Sequence, residues 1–383
     1  MLSAVAQGKM KMTVKERRVA WPPRIIHQTP MGVHRDGTGN KYPRDIGRSS
    51  MLSNGDIIFQ FGDTFMHNEK GTFIGLASNT YSVATDTTNP SLSLYNHASP
   101  VGQSPIEPFI PLEPGEIAQG LKACSFSGIV EDVYDREIDK REGYKMKLIQ
   151  GWTFFEIRRT IPNSSLLPYH QYVGVAKVVY NPDEKEATAT WTGASSANRI
   201  LFAGNEPRFG SLCVVLADDD HIYLYGQRSE SDKDICVARV HANRANLRQH
   251  YEFFDGKEWN KDIRNAASVM RNMQQGQVFR SKMFGATEIY EWVFIGVNAQ
   301  GDSKVQMGRA KNPEGPWDIQ VTEIHLHFTN PVLFGQYAYC VYPHPWADET
   351  HENGDLTISW CESIMDGHVL MSKIRFQMED VKV

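Results

Sequence analysis

No stretch of this sequence approaches the roughly 18 consecutive apolar residues of a membrane-spanning helix, so no membrane partner is expected. Cysteine is scarce: Cys124, Cys213, Cys236, Cys340 and Cys361 are odd in number, scattered, and contain no CxxC pair. That argues against a disulfide framework and a Cys-rich metal site, and it fits small buried hydrophobes in a reducing compartment. The apolar part of MLSAVAQGKMKMTVKERR is too short for a signal-peptide core, so the expected location is cytoplasmic. Excess charge of one sign is also lacking. A formal net charge of −5 and no aromatic-interleaved basic stripe give no footprint for nucleic acid, and the one basic cluster, Lys9 to Arg18, reads as a solvated arm. Helical periodicity is missing apart from the stretch around Asn260 to Met273. GxSxG, P-loop and dinucleotide signatures are absent from any suitable strand–helix context, and no cofactor is expected.

What the sequence does contain is apolar residues enough for a large core (41% hydrophobic, 11% aromatic) and a recurring two-strand unit. A polar entry, a short strand, an Asn/Asp/Gly turn and a second, more apolar strand recur. The copies are GRSSMLSNGDIIFQFGDTF (47–65), RFGSLCVVLADDDHIYLYGQ (208–227), RSKMFGATEIYEWVFIGV (280–297) and YPHPWADETHENGDLTISWCES (342–363). Third strands follow at 73–85, 234–242, 304–312 and 368–376, and a weaker copy between 90 and 200 uses 123–133, 145–160 and 171–180. Five copies fill residues 1–383 as a single all-β domain, a five-bladed β-propeller, with residues 1–30 as an N-terminal arm and closing strand. A β-sandwich does not account for the same signature at similar intervals.

In a propeller the first strand of each blade lines the axis, and the residues before it crown one mouth. The repeat therefore places Asp45, Arg48, Arg208, Arg280 and His344 around one pocket, with Asp63 at the end of the neighbouring strand in FGDT. Two carboxyls facing a sugar-sized gap are what glycoside hydrolysis requires. For two isolated aspartates a turn cap and an ion pair with Arg44 or Arg48 weigh more; shared placement at one mouth brings the alternatives level. Trp152, Phe209, Met283, Phe284, Tyr337, Tyr339 and Trp346 are candidate substrate-binding residues, although core packing is the default for any one of them.

RDIGRSS followed by NGDIIFQFGDTF resembles the opening of a five-bladed propeller family that was once a domain of unknown function and now contains endo-D-arabinanases. The likeness continues through RFGS…DDDHIYLYG, YEFFDGKEW and GDLTISWCES. It implies a glycoside-hydrolase-like fold with acids at Asp45 and Asp63. A third acid is not placed by it, Glu206 in GNEPRFG being the nearest candidate. The missing export signal and the basic, aromatic crown suggest a second likeness, to fungal hetero-Diels–Alder cyclases that join a tropolone or phenol quinone methide to a humulene-type sesquiterpene. Such a reaction needs a shaped dry cavity, where approximation supplies about 7–11 kcal/mol of the barrier, and a cation such as Arg48, Arg208, Arg280 or His344 on the quinone-methide oxygen.

Three functions follow, each with small-molecule ligands. Placed first is an intracellular natural-product pericyclase; the alternative is an arabinanase-like glycoside hydrolase using paired aspartates; the third is a non-catalytic binding propeller, preferred if both aspartates are locked in ion pairs. HLH (325–327) and HPWADETHE (344–352) lack metal-ligand spacing, so no metal is expected. DDD (218–220) reads as a hairpin turn, and the Pro- and Glu-rich segment 100–120 as a loop that could cover the mouth.

Overall fold

The computed structural model describes residues 15–37, 42–68, 70–84, 86–94, 107–124, 127–132, 148–160, 169–192, 199–285, 290–299, 302–329, 336–348, 350–363 and 367–382. Most of Lys9 to Arg18 and the first part of 100–120 lie outside the described residues. The strands form five antiparallel blades around an axis. Their inner strands are Arg44–Met51, the pair Leu121–Cys124 and Ile129–Glu131, Cys213–Leu216, Met273–Arg280 and Ala338–Pro343. The second strands are Ile57–His67, Ile149–Arg159, His221–Gln227, Trp292–Asn298 and Asp355–Glu362. These are buried on both faces, which is why they read as near-continuous runs of Ile, Phe, Tyr, Trp and Val. The apolar core accordingly lies in wedges between adjacent blades.

The ring closes with the N-terminus. Ile25–Val33 pairs with Val369–Phe376 as the outermost strand of blade five, and Lys15–Val19 pairs with Met378–Lys382. Every blade thus acquires a neighbour, and the first and last described strands pair with each other.

Arg48 occupies the axis. It is fully buried and projects from blade one to reach all four other blades: its side chain packs at Gly128, donates to the Leu212 carbonyl at 2.7 Å and the Gly276 carbonyl at 3.5 Å, and lies 4.3 Å over the Tyr342 ring. It is a plug between the mouths rather than a member of either.

Two copies of the repeat are framed differently from the sequence expectation. In blades four and five the inner strands are 273–280 and 338–343, so RSKMFG and YPHPW are the connections that leave them. The inner strand MQQGQVFR is half polar and carries little apolar signal, and long connections (281–291 and 344–354) separate each inner strand from its partner. Both features hide the frame. The stretch 260–273 is not an α-helix but a single 3-10 turn, Ile263–Asn265, and a short strand, Ser268–Met270.

Candidate functional site

Inner strands enter at one mouth and leave at the other: Asp45 meets Tyr339 near the starts of their strands, and Ser49 meets His344 near the ends. This polarity separates the expected site residues. Asp45, Asp63, Arg208, Tyr337 and Tyr339 lie at the entry mouth. Arg280 ends its strand at the exit mouth, paired with Asp218 and Glu291. His344 lies there too, buried between the hydroxyls of Ser49 (2.6 Å) and Ser359 (2.8 Å); burial pushes its imidazole down to about 3, so it is neutral. Trp346 donates to Ser49 at 2.8 Å and packs edge-on against Phe59. The misplaced frame of blades four and five had assigned Arg280 and His344 to the wrong end.

Four of the aromatic and apolar candidates are core. Trp152 and Phe209 fill the wedge between blades two and three, Phe209 against Phe202 and Phe253. Met283 and Phe284 are buried in the blade-five wedge, Phe284 against Trp21. Tyr337 is exposed, its ring 6.1 Å from Tyr339.

At the entry mouth Asp45 is set by an unusual backbone. Ile46 has φ +72° and Gly47 φ +73°, and the pairing register shifts on both sides of Ile46. A β-branched residue in the left-handed region costs about 1–3 kcal/mol, and such strain concentrates at functional positions. Cys361 supports the kink: its Sγ accepts the Ile46 N–H at 3.1 Å. Opposite it, Tyr339 is followed by Cys340 at φ +52°, inside a second bulge. Bulges of this kind re-aim side chains, and here two of them bring the Tyr339 hydroxyl to donate to Asp45 Oδ2 at 3.1 Å.

Asp45 Oδ1 is shut off from solvent without a well-formed hydrogen bond. Burial, then the Asp63 charge, pushes the Asp45 carboxyl up to about 7, with Tyr339 and nearby amides opposing. The Tyr339 phenol is itself pushed far up by burial and by Asp45, so it remains a donor. Asp63 is raised by burial, but its side chain is 44% exposed and Lys122 Nζ lies 3.9 Å away, pulling it down. The glycine of FGDT makes this arrangement possible, because a Cβ on Gly62 would collide with Asp45 Oδ1 and the Ile46 side chain. Gly62→Ala is therefore expected to displace Asp45 and lower turnover by about 10²-fold, the scale of a 1 Å misplacement. Steady-state kinetics on a folded variant would check it, and unchanged turnover would remove Asp45 from the chemistry.

Beside Lys122 lies a charged network that sequence reasoning missed, save for Arg208. Arg208 Nη1 reaches Glu156 Oε2 (3.4 Å) and Glu230 Oε2 (3.1 Å); Arg158 reaches Glu156 (2.9 Å) and Glu230 (2.8 Å). Glu156 is buried, which alone would raise its carboxyl, but His170, Arg208 and Arg158 outweigh burial and bring it to about 2. A signal was present: each second strand carries an acid or amide at or within four residues of its end at this mouth, namely Asp63, Glu156, Gln227, Asn298 and Glu362. Glu206, the candidate third acid, instead accepts from the Ala203 amide and pairs with Arg248. DDD forms the turn leaving the blade-three inner strand, with Asp220 at φ +60°. Among the described residues no group of three or more His, Cys, Asp or Glu could hold a metal ion, and no helix is long and apolar enough to cross a membrane.

A family model described as "Domain of unknown function (DUF4185)" matches residues 172–363. No curated protein matches the chain. Among solved structures it is similar to a candidate hydrolase from Bacteroides ovatus ATCC 8483, with 17% identity over 88% of this chain and 86% of that one, and a TM-score of 0.58. A glycoside hydrolase family 43 arabinoxylan arabinofuranohydrolase from Bacillus subtilis matches at 13% identity, covering 88% of this chain and 63% of that one, with a TM-score of 0.46. An exo-beta-1,3-galactanase from Phanerochaete chrysosporium matches at 10% identity over 90% and 64%, with a TM-score of 0.47. At 17% identity, what the chain shares with the first of these is the fold.

Proposed function

The chain belongs to the DUF4185 family, whose description assigns no activity, and we propose one from the geometry of its entry mouth: hydrolysis of a glycosidic bond, with Asp45 as general acid and Asp63 as the second carboxylate. The observation that carries this reading is the Asp45 carboxyl, buried, hydrogen-bonded by Tyr339 and pushed up to about 7 beside a solvated aspartate. Two acids whose surroundings separate their ionisation divide into proton donor and base or nucleophile. Asp45 gives its proton to the leaving glycosidic oxygen as the bond to the anomeric carbon breaks. Asp63, the more exposed of the two acids and 3.9 Å from Lys122, acts in its carboxylate form, stabilising or capturing the oxocarbenium centre or deprotonating the attacking water. Asp45 has no ion-pair partner in the described structure, so the condition favouring a non-catalytic binder is not met.

Asp63→Asn is expected to lower cleavage of aryl arabinosides, xylosides or galactosides about 10²-fold with little change in folding, since its side chain is half exposed. If the wild-type protein cleaves no glycoside, the reading fails.

One observation favours the pericyclase reading. The second strand of blade one runs past Asp63 into a hairpin with Phe73–Ala77, on which Phe73, Ile74 and Leu76 are exposed, with Phe65 and His67 against Phe73. Such a wall suits an apolar partner, and Asp45 could then assist dehydration to a quinone methide before cycloaddition with a humulene-type alkene. Accelerated adduct formation from those two partners, abolished by Phe73→Ser with Leu76→Ser, would establish it; a rate equal to the background reaction would exclude it.

A further inference from the structure

Glu230 stands at the tip of the turn that joins the second and third strands of blade three, a turn closed by the Ser229 amide to the Asp232 carbonyl and the Arg228 amide to the Asp234 carbonyl. Its side chain is 51% exposed, yet its two carboxylate oxygens are divided between two arginines: Oε1 accepts from Arg158 Nη2 at 2.8 Å and Oε2 from Arg208 Nη1 at 3.1 Å. The arginines, by contrast, are fixed. Arg158 is the penultimate residue of the second strand of blade two and is anchored on Glu156; Arg208 is buried and also held by Gln227 and by the Ser229 carbonyl at 3.2 Å. Two rigid guanidinium groups from different blades thus face the mouth, and the carboxylate between them sits on a surface turn. Arg208 Nε is buried beside it without a hydrogen-bond partner, so the guanidinium pair holds a donor that Glu230 leaves unsatisfied. Lys122, the neighbour of Asp63, lies directly across the strand pair from Arg158, which makes this cluster continuous with the acid pair.

We propose that Arg158 and Arg208 form a carboxylate-recognition subsite of the entry mouth, and that Glu230 is a built-in competitor displaced when a carboxylate-bearing substrate binds. The class follows from the present occupant: a planar carboxylate already spans the two guanidinium groups, the geometry arginine recognises best. That the substrate is a uronic-acid-containing glycan rests on the hydrolase reading. Because Glu230 competes from within the same chain, the wild-type affinity is lowered by the fraction of time the turn is swung away.

The test measures calorimetric binding of D-glucuronate and D-galacturonate against D-glucose and D-galactose on the full chain, as wild type, Glu230→Gln and Arg158→Gln. Uronates are expected to bind the wild type at least about tenfold more tightly than the neutral sugars. Glu230→Gln should tighten uronate binding about tenfold further and leave the neutral sugars unchanged. Arg158→Gln should erase the preference; should that variant not fold, the half-exposed Glu230→Gln still decides. Equal binding of acidic and neutral sugars, no binding of either, or a preference unmoved by Glu230→Gln overturns the proposal, and tighter binding of glucose 6-phosphate than of glucuronate overturns the carboxylate class. Uronate binding without cleavage of any glycoside removes the hydrolase reading and leaves the subsite standing. Cleavage of neutral glycosides without uronate preference does the reverse.

Discussion

Asp45→Asn is expected to lower turnover about 10³-fold and, in the same protein, to raise stability above pH 7. The two effects share one cause. The folded protein holds the Asp45 carboxyl at about 7 against an ordinary 3.8, chiefly by burial, so folding favours its protonated form. Below pH 3.8 the acid is neutral in both states and contributes no penalty. Between 3.8 and about 7 the unfolded chain ionises first, and stability falls as pH rises; above 7 the penalty is complete. At about 1.4 kcal/mol per unit, reduced for the partial exposure of the residue, the penalty is roughly 1–3 kcal/mol. Asparagine mimics the neutral acid and removes it. Thermal unfolding should therefore show the variant about 1–4 °C more stable at pH 8 and close to wild type near pH 4. Loss of activity with equal or lower stability at pH 8 would mean that Asp45 is a structural acid. A gain in stability with full activity would mean that the buried acid is not part of the chemistry.

The same variant bears on the Ile46 kink. Strain of 1–3 kcal/mol at φ +72° persists only where the surroundings impose it, here the Cys361 thiol and the tight approach of Gly62. A protein selected for stability alone has no use for both a left-handed isoleucine and an unpaired buried carboxyl oxygen at one spot. Their coincidence at the mouth, next to a tyrosine aimed by its own bulge, is the pattern of a site that trades stability for reactivity.

How far the sequence reveals this depends on which strand is read. The second strands are buried on both faces, so their apolar runs announce a propeller and the FGDT end of the first one announces Asp63. Inner strands face the axis and their neighbours at once, and half their positions are polar. In blade four that erased the frame and carried Arg280 to the wrong mouth; in blade five it did the same to His344. Arg158 and Glu230 were illegible for another reason. Each looks like an ordinary charged residue at a strand end or turn, and only the approach of blade three to blade two makes them partners. Lys122 shows the same limit: nothing near it in the chain points to Asp63, which lies 59 positions away in the neighbouring blade and meets it only once the ring is formed.

Arg48 is where sequence and structure diverge most in meaning, and its substitution is expected to give the largest loss of stability. Read as a catalytic cation, it should be dispensable for folding. As the axial plug, it binds carbonyls of blades three and four and lies on the Tyr342 ring. Arg48→Ala removes the contents of the axis, leaving a cavity of roughly 100 Å³ worth about 2–3 kcal/mol, and strips two carbonyls of a charged donor at about 1.5–3 kcal/mol each. Against this stands relief from burying a guanidinium with no acid facing it, which offsets part of the loss. The net expectation is destabilisation of about 3–5 kcal/mol, read from denaturant midpoints at unchanged slope. Arg48→Met separates the contributions, because it keeps most of the volume, loses the hydrogen bonds and removes the buried charge. It should lie within about 2 kcal/mol of wild type and, where folded, retain turnover within about tenfold. If Arg48→Met is as stable as wild type but inactive, the guanidinium belongs to the chemistry after all, acting down the axis on a ligand held at Asp45. If both variants are destabilised equally, the hydrogen bonds to Leu212 and Gly276, rather than the filling of the axis, hold the five blades together.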